Sequence, residues 1–418
     1  MIFIIKIFNG KSILTILQKT TIFYSIVVFI NKKVLDGRLN MKRKKSTVVL
    51  IWIIVALIAV IVFKIKGTDN NKGFKVVKWN NFYKGDNIKL YYGSTDKQLL
   101  KQLNEKYNLK KITEGGKNDF DKSLKILDWI NKNMPNKDTM DYDENIDYSE
   151  EGTFDILSQE NKNTYSSREI CIVFNEFAIA SGIISRIGEL SSDPDSFTRK
   201  EGSMIICEVW SNDYNKWILI DATRGAYMEY NNIPLSAIEV IERGLANIKI
   251  IGVKDNEEYE EYVDDVKKYF HNYLIKIDNS IYGEKNSNSY LCFINNKENK
   301  NFLNENSVKR PIIYTYNKNL FKLSPRYELN KIEKDEIPTL IFSKKNITKD
   351  DSDIKMEIYG GAFQDSAMIN RYYISINNRP FKQQNSYFEV EIKEGITNIR
   401  LSKDGKSAIR EVVFEFIE

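Results

Sequence analysis

Histidine and cysteine are scarce in this chain of 418 residues, which contains one His and three Cys. A single His cannot supply both a zinc site of the usual His and Cys type and a catalytic base. Three Cys are too few, and odd in number, for a disulfide framework in a chain of this length. The sequence also lacks a glycine motif of the phosphate-binding kind. We therefore expect no metal site and no cofactor.

The overall composition is that of a folded protein. Hydrophobic residues make up 42% of the chain and charged residues 28%, which excludes a disordered or collagen-like protein. The length predicts two or three domains.

The net charge of +5 is unevenly distributed. Residues 1–66 contain twelve Lys and Arg against a single acidic residue, Asp36, which gives this segment a net charge of +11. Since the total is +5, residues 67–418 carry −6. The larger part of the chain is thus acidic, and we expect no nucleic-acid partner.

An uninterrupted apolar run extends from Val48 to Phe63 and is flanked by lysines. As a helix, 46–63 would span roughly 27 Å, close to the thickness of a bilayer core. No small-residue cleavage site follows, so the sequence predicts one transmembrane signal anchor at 46–64 after a basic region at 1–45. Positive charge on the N-terminal side places the C-terminal part outside the cytoplasm, as a single-pass protein of the cell membrane.

The segments around the anchor are simpler. Met41 opens a basic cluster and has the features of a natural start, so we interpret residues 1–40 as an upstream extension of the reading frame. Residues 65–95 are predicted to be mainly a polar tether.

Apolar periodicity predicts several helices in the region that follows. One begins near Ser94 or Thr95 and runs to Tyr107, and a second carries Phe120, Leu124, Leu127, Ile130 and Met134. Further helices are predicted at 168–181, with Gly182 as the C-terminal glycine, at 234–245 and at 258–274. Strands are predicted at 184–190, 203–210 and 216–221.

From about residue 286 the helical periodicity disappears and short alternating runs replace it. The run Tyr387–Ile392, closed by Gly395, is typical of the last strands of an Ig-like β-sandwich. We therefore predict a separate all-β domain at 286–418.

Three ordered segments are distinctive in the central region. They read SREICIVFNEFAIASGIISR over 167–186, MIICEVW over 204–210 and KWILID over 216–221. This set resembles the transglutaminase-like superfamily, whose catalytic core is papain-like. In that family the first segment opens with the nucleophilic Cys and closes with Gly-x-x-Ala/Ser-Arg, the second reads His-x-x-x-Glu-Val-Trp/Tyr, and the third ends in the catalytic Asp. The resemblance implies an α+β papain-like core at 96–280.

The catalytic residues of the family are not retained. The nucleophile position falls on Ser167 and the His position on Met204, while Asp221 alone matches. The family mechanism needs a thiolate paired with an imidazolium. A serine hydroxyl has no appreciable anionic fraction at neutral pH, and a thioether cannot accept a proton and return it. Without an imidazole, we expect Asp221 to cap its turn or to pair with Arg224.

The cysteines offer one alternative nucleophile. Cys171 lies in the predicted helix at 168–181, but four positions beyond Ser167, which favours a buried structural thiol. Cys207 alternates with Met204 along its predicted strand and is expected to face the opposite side. Cys292 has no evident partner.

The other candidate residues are aromatic, together with the lone His. Trp210, Tyr214 and Trp217 flank a predicted hairpin and are candidates for lining a binding groove, although such residues commonly pack in the core. His271 projects away from the apolar face of the predicted 258–274 helix and is expected to be solvated.

These observations favour a membrane-anchored extracytoplasmic protein with an inactive transglutaminase-like domain that binds a peptide, cell-wall or protein partner. The alternative is an active cysteine- or serine-type peptidase, amide hydrolase or transglutaminase using Cys171 or Ser167. A third hypothesis is a purely structural spacer that presents the β domain.

Overall fold

The computed structural model of the chain contains both helices and strands, as the sequence predicts for an α+β fold. It describes residues 73–86, 88–93, 96–136, 152–159, 162–191, 203–253, 255–277, 289–295, 308, 310–325, 335–345, 353–365 and 367–418. The predicted basic region at 1–45 and the anchor at 46–64 lie outside the described residues. Within the described ranges, no helix is both long enough and apolar enough to cross a membrane.

The α-helices of the described residues begin mostly at side chains that accept hydrogen bonds from the first-turn N–H groups. They are α1 (Lys97–Tyr107), α2 (Leu109–Ile112), α3 (Asp119–Asn133), α4 (Thr153–Ser158), α5 (Ser167–Ala180), α6 (Ala237–Arg243) and α7 (Asn256–Val266). The N-cap of α1 is Asp96, and that of α5 is Ser166, which forms a capping box with Glu169. Gly182 follows α5 with φ +81°, as expected for a residue in the left-handed region.

The strands are named in chain order. They are β1 (Gly73–Asn80), β2 (Ser185–Ser191), β3 (Ser203–Ser211), β4 (Lys216–Asp221), β5 (Ala226–Tyr230), β6 (Ile233–Pro234), β7 (Lys249–Ile251), β8 (Asn272–Lys276), β9 (Tyr290–Ile294), β10 (Ile312–Thr315), β11 (Thr339–Lys345), β12 (Met356–Gln364), β13 (Ala367–Met368), β14 (Tyr372–Ile376), β15 (Lys382–Gln384), β16 (Phe388–Ile392), β17 (Gly395–Ser402) and β18 (Arg410–Ile417).

The largest sheet has the strand order β10-β9-β8-β2-β3-β4-β5-β6, and β7 also pairs with β5. Along β3 the side chains alternate between two apolar clusters. Cys207 and Val209 share a cluster with residues of α1, α3 and α5. Met204 and Ile206 share the other cluster with residues of α6 and α7. Helices therefore cover both faces of this sheet.

Two smaller sheets lie in the C-terminal region. One has the order β1-β18-β17-β14-β15, and the other joins β11, β12 and β13, with β16 also paired to β12. In β16 the residues Phe388, Val390 and Ile392 are buried while Glu389 and Glu391 are exposed, which is the alternation that the sequence predicted. Apolar residues of both sheets belong to one shared core.

The strands do not follow the boundaries predicted for the tether at 65–95 and for the β domain at 286–418. The predicted tether at 65–95 contains β1, whose backbone pairs with β18 from Gly73↔Ile417 to Asn80↔Glu411. The predicted β domain at 286–418 contains β9 and β10, which are strands of the largest sheet instead. Residues 72–418 form one compact unit. Side chains of β9 and β10 belong to the same apolar core as side chains of the two smaller sheets.

Two predicted helices are shorter in the structure. Helix α6 begins at Ala237 behind the N-cap Ser236, and Pro234 belongs to the short strand β6. The helix predicted at 258–274 ends as α7 at Val266, and a 3₁₀ turn leads into β8. The apolar residues Tyr273 and Leu274, which continued the helical count, are strand residues paired with β9.

Candidate functional site

Ser167, which the resemblance predicts at the nucleophile position, is the first residue of α5. Its side chain is half-buried. The capping side chain is the neighbouring Ser166, whose hydroxyl accepts a hydrogen bond from the Glu169 N–H, while the Glu169 carboxylate accepts one from the Ser166 N–H at 2.8 Å. Within the described residues, no His, Asp or Glu side chain accepts a hydrogen bond from the Ser167 hydroxyl. The described part of the chain thus offers this hydroxyl no base.

Met204, which the resemblance predicts at the His position, lies in β3 and is 4% exposed. Its side chain belongs to the apolar cluster on the α6 and α7 face of the largest sheet, together with Leu190 and Leu219. A thioether in this environment contributes packing and no proton transfer.

Asp221 ends β4 and is fully buried. Its carboxylate accepts hydrogen bonds from the Arg224 N–H at 3.1 Å and from the Tyr262 hydroxyl at 3.0 Å, and the Arg224 guanidinium lies at 3.5 Å. The expected contact with Arg224 is thus present. Burial raises the pKa of Asp221, although Arg224 and the Tyr262 hydroxyl oppose this shift. The carboxylate is bound by its own turn and by α7.

The thiols lie in the core. Cys171 is fully buried in α5, and its thiol donates to the Ile205 carbonyl at 3.6 Å. The Cys207 thiol lies 3.4 Å from the Cys171 carbonyl, and burial raises its pKa well above the usual value. Cys207 faces the cluster opposite to that of Met204, which confirms the predicted alternation. Cys292 is also buried.

Two of the three candidate groove residues are core residues. Trp210 and Trp217 are 4% and 1% exposed, whereas Tyr214 is 41% exposed. The indoles meet edge to face because Trp210 and Trp217 are directly paired on β3 and β4. Trp210 and Trp217 therefore pack in the core, the alternative that the sequence analysis also gave for aromatic residues flanking a hairpin. Tyr214 contacts only the edge of Phe120 among the described aromatic rings.

His271 is exposed, as predicted, but for a different reason. It lies in the turn between the 3₁₀ segment Lys267–Tyr269 and β8, not on a helix. Within the described ranges, no group of three or more His, Cys, Asp or Glu side chains is arranged to hold a metal ion.

A buried ionic network is the feature that sequence reasoning missed. Arg186 of β2 and Glu208 of β3 are direct strand partners, and the guanidinium lies 2.9 Å (Nε) and 2.5 Å (Nη2) from one carboxylate oxygen, Oε2. The Tyr273 hydroxyl donates to the same oxygen at 2.7 Å. The other oxygen accepts the Ala237 N–H at 2.9 Å. Burial alone would lower the pKa of Arg186, but the charge of Glu208 raises it.

The aromatic residues complete this network. The Arg186 guanidinium lies 4.0 Å from the centroid of the Trp217 ring, and Tyr92 stacks on that ring at 5.5 Å. Arg186 and Glu208 are motif residues of the three segments, but the sequence alone gave no strand register that would bring them together. Side chains alternate between the two faces of a strand, and this alternation was the available signal that Arg186 and Glu208 could face the same side of the sheet.

The same residues fix a distant segment, the 3₁₀ helix Lys318–Lys322. Arg186 donates to the Phe321 carbonyl at 2.7 Å, and the Trp217 indole donates to the Leu323 carbonyl at 2.9 Å. These bonds hold one side of the segment against the core of the largest sheet.

Comparisons with protein-family models, curated proteins and solved structures find no match to this chain.

Proposed function

We propose that this chain is a membrane-anchored extracytoplasmic protein that binds a peptide, cell-wall or protein partner and does not catalyse. In this proposal the central region is an inactive papain-like, transglutaminase-like core, the C-terminal strands form an Ig-like β-sandwich, and residues 46–64 form the anchor. The shared core of the two smaller sheets supports the sandwich.

One observation carries the proposal of inactivity. Two of the three triad-equivalent residues are engaged elsewhere, which supports inactivity: Met204 is buried in an apolar cluster, and Asp221 is bound to Arg224 and Tyr262. The only imidazole of the chain, His271, is exposed in a turn before β8. An acyl-enzyme needs a nucleophile that a base can deprotonate. Ser167 has no such base among the described residues.

The test is a transamidation assay on the full-length chain in detergent. A glutamine-containing donor peptide and a labelled amine are incubated with the chain and with the variants Ser167→Ala and Asp221→Asn. We expect incorporation no higher than in a reaction without protein, and no difference among the three proteins. Turnover that is lost in Ser167→Ala would overturn the proposal and establish the active alternative.

The alternative nucleophile Cys171 has less support than Ser167. Its thiol is fully buried and is already engaged with the Ile205 carbonyl, so it lacks the exposure of a reactive cysteine. We therefore propose binding, and not catalysis, as the function of this chain.

A further inference from the structure

Three carboxylates lie side by side on one face of the sheet that joins β11, β12 and β16. Glu357 of β12 is the direct strand partner of Glu391 of β16, and Glu389 lies two residues before Glu391 on the same face. Glu389 and Glu391 are exposed, whereas Glu357 is 3% exposed. We call these three residues the carboxylate face. Directly opposed like charges destabilise a sheet, so this arrangement favours the binding of a counter-charge.

One lysine of the chain, Lys345 of β11, supplies part of that counter-charge. Its ammonium donates a hydrogen bond to the Glu389 carboxylate at 2.8 Å. The same ammonium lies 3.8 Å from Glu357 Oε2, which is too far for a hydrogen bond. Lys345 is therefore shared between two carboxylates and lies closer to the exposed one.

The buried carboxylate is only partly compensated. Within the described part of the chain, Glu357 Oε2 is closed to solvent and accepts no hydrogen bond. Glu391, which faces Glu357 across the strand pair, forms no ion pair or hydrogen bond with another described residue. A buried anionic oxygen without a donor raises the free energy of the folded chain. A cationic donor from a binding partner would lower it.

The charge balance at the carboxylate face is negative. Lys393 directly follows β16, and together with Lys345 it brings the lysines near the face to two against three carboxylates. Lys355, which precedes β12, is paired with Glu418 instead. The face therefore attracts a cationic group and repels an anionic one.

The geometry of the face favours arginine among the cationic side chains. Directly opposed residues of an antiparallel strand pair have Cβ atoms about 4.5–5.5 Å apart, so the carboxylates of Glu357 and Glu391 lie within reach of one guanidinium. A guanidinium presents five N–H donors in a planar fork and is more weakly hydrated than an ammonium. Tyr387, which is 63% exposed, lies two residues before Glu389 and offers apolar surface to the methylene stem of an arginine.

We propose that the carboxylate face binds an arginine side chain of a polypeptide partner. The guanidinium displaces the Lys345 ammonium from Glu357 and bridges Glu357 and Glu391. The inference rests on the proposed function for the binding role and names the chemistry of the partner. The face belongs to a different sheet from β4, which ends in Asp221, so its test does not depend on the absence of catalysis.

The experiment measures peptide binding to the full-length chain in an uncharged detergent by isothermal titration calorimetry. The probe is a blocked pentapeptide with one central arginine between glycines. The matched peptide has citrulline at the centre, which keeps the shape of arginine and removes its charge. The variants Glu357→Gln and Glu391→Gln each remove one charge of the face, and the control Glu260→Gln removes an exposed carboxylate of α7. Thermal unfolding establishes that each variant is folded.

A second pair of variants tests the displacement of Lys345. Lys345→Gln removes the ammonium that competes with the guanidinium, and the control Lys382→Gln removes an exposed lysine of β15 in another sheet. We expect Lys345→Gln to bind the arginine peptide about fivefold more tightly than the unaltered chain, since an exposed ion pair no longer has to be broken. Lys382→Gln should bind the peptide as the unaltered chain does. Equal affinities for Lys345→Gln and the unaltered chain would contradict the displacement.

We expect the arginine peptide to bind with a Kd of about 1 mM or tighter. The citrulline peptide, and each Gln variant of the face, should show binding weakened by about tenfold or more, because a charge-assisted hydrogen bond is lost. Glu260→Gln should leave binding unchanged. Three results would each overturn the proposal: the arginine peptide does not bind, the citrulline peptide binds equally well, or Glu357→Gln and Glu391→Gln bind as tightly as the unaltered chain. A positive transamidation assay would overturn the proposed inactivity and leave this result standing.

Discussion

Arg186 and Glu208 face each other across β2 and β3, and their side chains form an ion pair sealed from solvent. The residues are 2% and 0% exposed. The Glu208 carboxylate also accepts hydrogen bonds from Tyr273 and from the Ala237 N–H, so both of its oxygens are used. Ion pairs of this kind are costly to break, because the remaining charge stays buried without compensation.

The first prediction concerns this pair. Glu208→Ala should lower the free energy of unfolding by about 3–5 kcal/mol, since it leaves the Arg186 guanidinium buried without its counter-charge. Urea denaturation of the full-length chain measures the change. The matched control is Glu105→Ala, which removes an exposed partner of Lys101 in α1 and should cost less than about 0.5 kcal/mol. Equal losses in the two variants would contradict a structural role for the buried pair.

The second prediction tests whether β1 is part of the fold. Trp79 is 7% exposed and meets the rings of Tyr314 and Phe342 edge to face. Trp79→Ala should therefore lower the free energy of unfolding by about 3–5 kcal/mol. Val77 lies in the same strand but is 55% exposed, so Val77→Ala should change it by less than about 0.5 kcal/mol. If both substitutions were neutral in urea denaturation, this segment would behave as the tether that the sequence predicted.

The third prediction concerns the pH dependence contributed by Asp221. Burial raises its pKa above the usual value of 3.8, so the folded protein binds this proton more tightly than the unfolded chain. The stabilising contribution is present below about pH 3.8 and is lost as the pH rises through the folded-state pKa. Asp221→Asn keeps an oxygen acceptor for Arg224 and Tyr262 without the charge. The stability of this variant relative to the unaltered chain should increase between about pH 4 and pH 8.

Asp404 provides the control of opposite sign. Hydrogen bonds from the backbone N–H groups of Lys406 and Ser407 lower the pKa of Asp404 to about 2. Its contribution is therefore present above the usual pKa of 3.8 and is lost as the pH falls towards 2. Asp404→Asn should be less stable than the unaltered chain at neutral pH and equal to it in strong acid. Parallel pH profiles for the two variants would contradict the assigned direction for Asp221.

The fourth prediction concerns the thiols. Cys171, Cys207 and Cys292 are buried, and burial raises the pKa of Cys207 and of Cys292. Ellman's reagent should label all three in the folded chain at least about tenfold more slowly than in the urea-unfolded chain, since the folded protein shields the buried thiols from the reagent. Peptide mapping identifies each site. Rapid labelling of Cys171 alone would support a nucleophilic role for it.

Local features were predictable from the sequence because neighbouring residues determine them. The capping box at Ser166 and the left-handed Gly182 delimit α5 through interactions within a few residues. The alternation of side chains along β3 likewise predicted that Met204 and Cys207 face opposite sides of the sheet. The 258–274 helix was overpredicted because Tyr273 and Leu274 fit an apolar helical count, while pairing with β9 makes them strand residues.

Features that depend on distant pairing were not predictable. The polar sequence around β1 gives no sign that its partner is β18, more than 300 residues away along the chain. The contacts of Arg186 and Trp217 with Phe321 and Leu323 join segments more than 100 residues apart. Of the candidate site, the residues at 167, 204 and 221 could be named from the sequence, but the choice between core and groove for Trp210 and Trp217 could not be made without their burial.

The pairing of β1 with β18 sets the order in which the protein can fold. Within the described residues, β1 has a single neighbour in its sheet, and Lys78 contacts Glu411 across a separation of 333 residues. A chain that emerges N-terminus first therefore holds its earliest strand unpaired until its last strand has been made. Chains that stop before Arg410 lack the strand partner of β1, and the unpaired backbone groups of such a strand are a template for association between molecules.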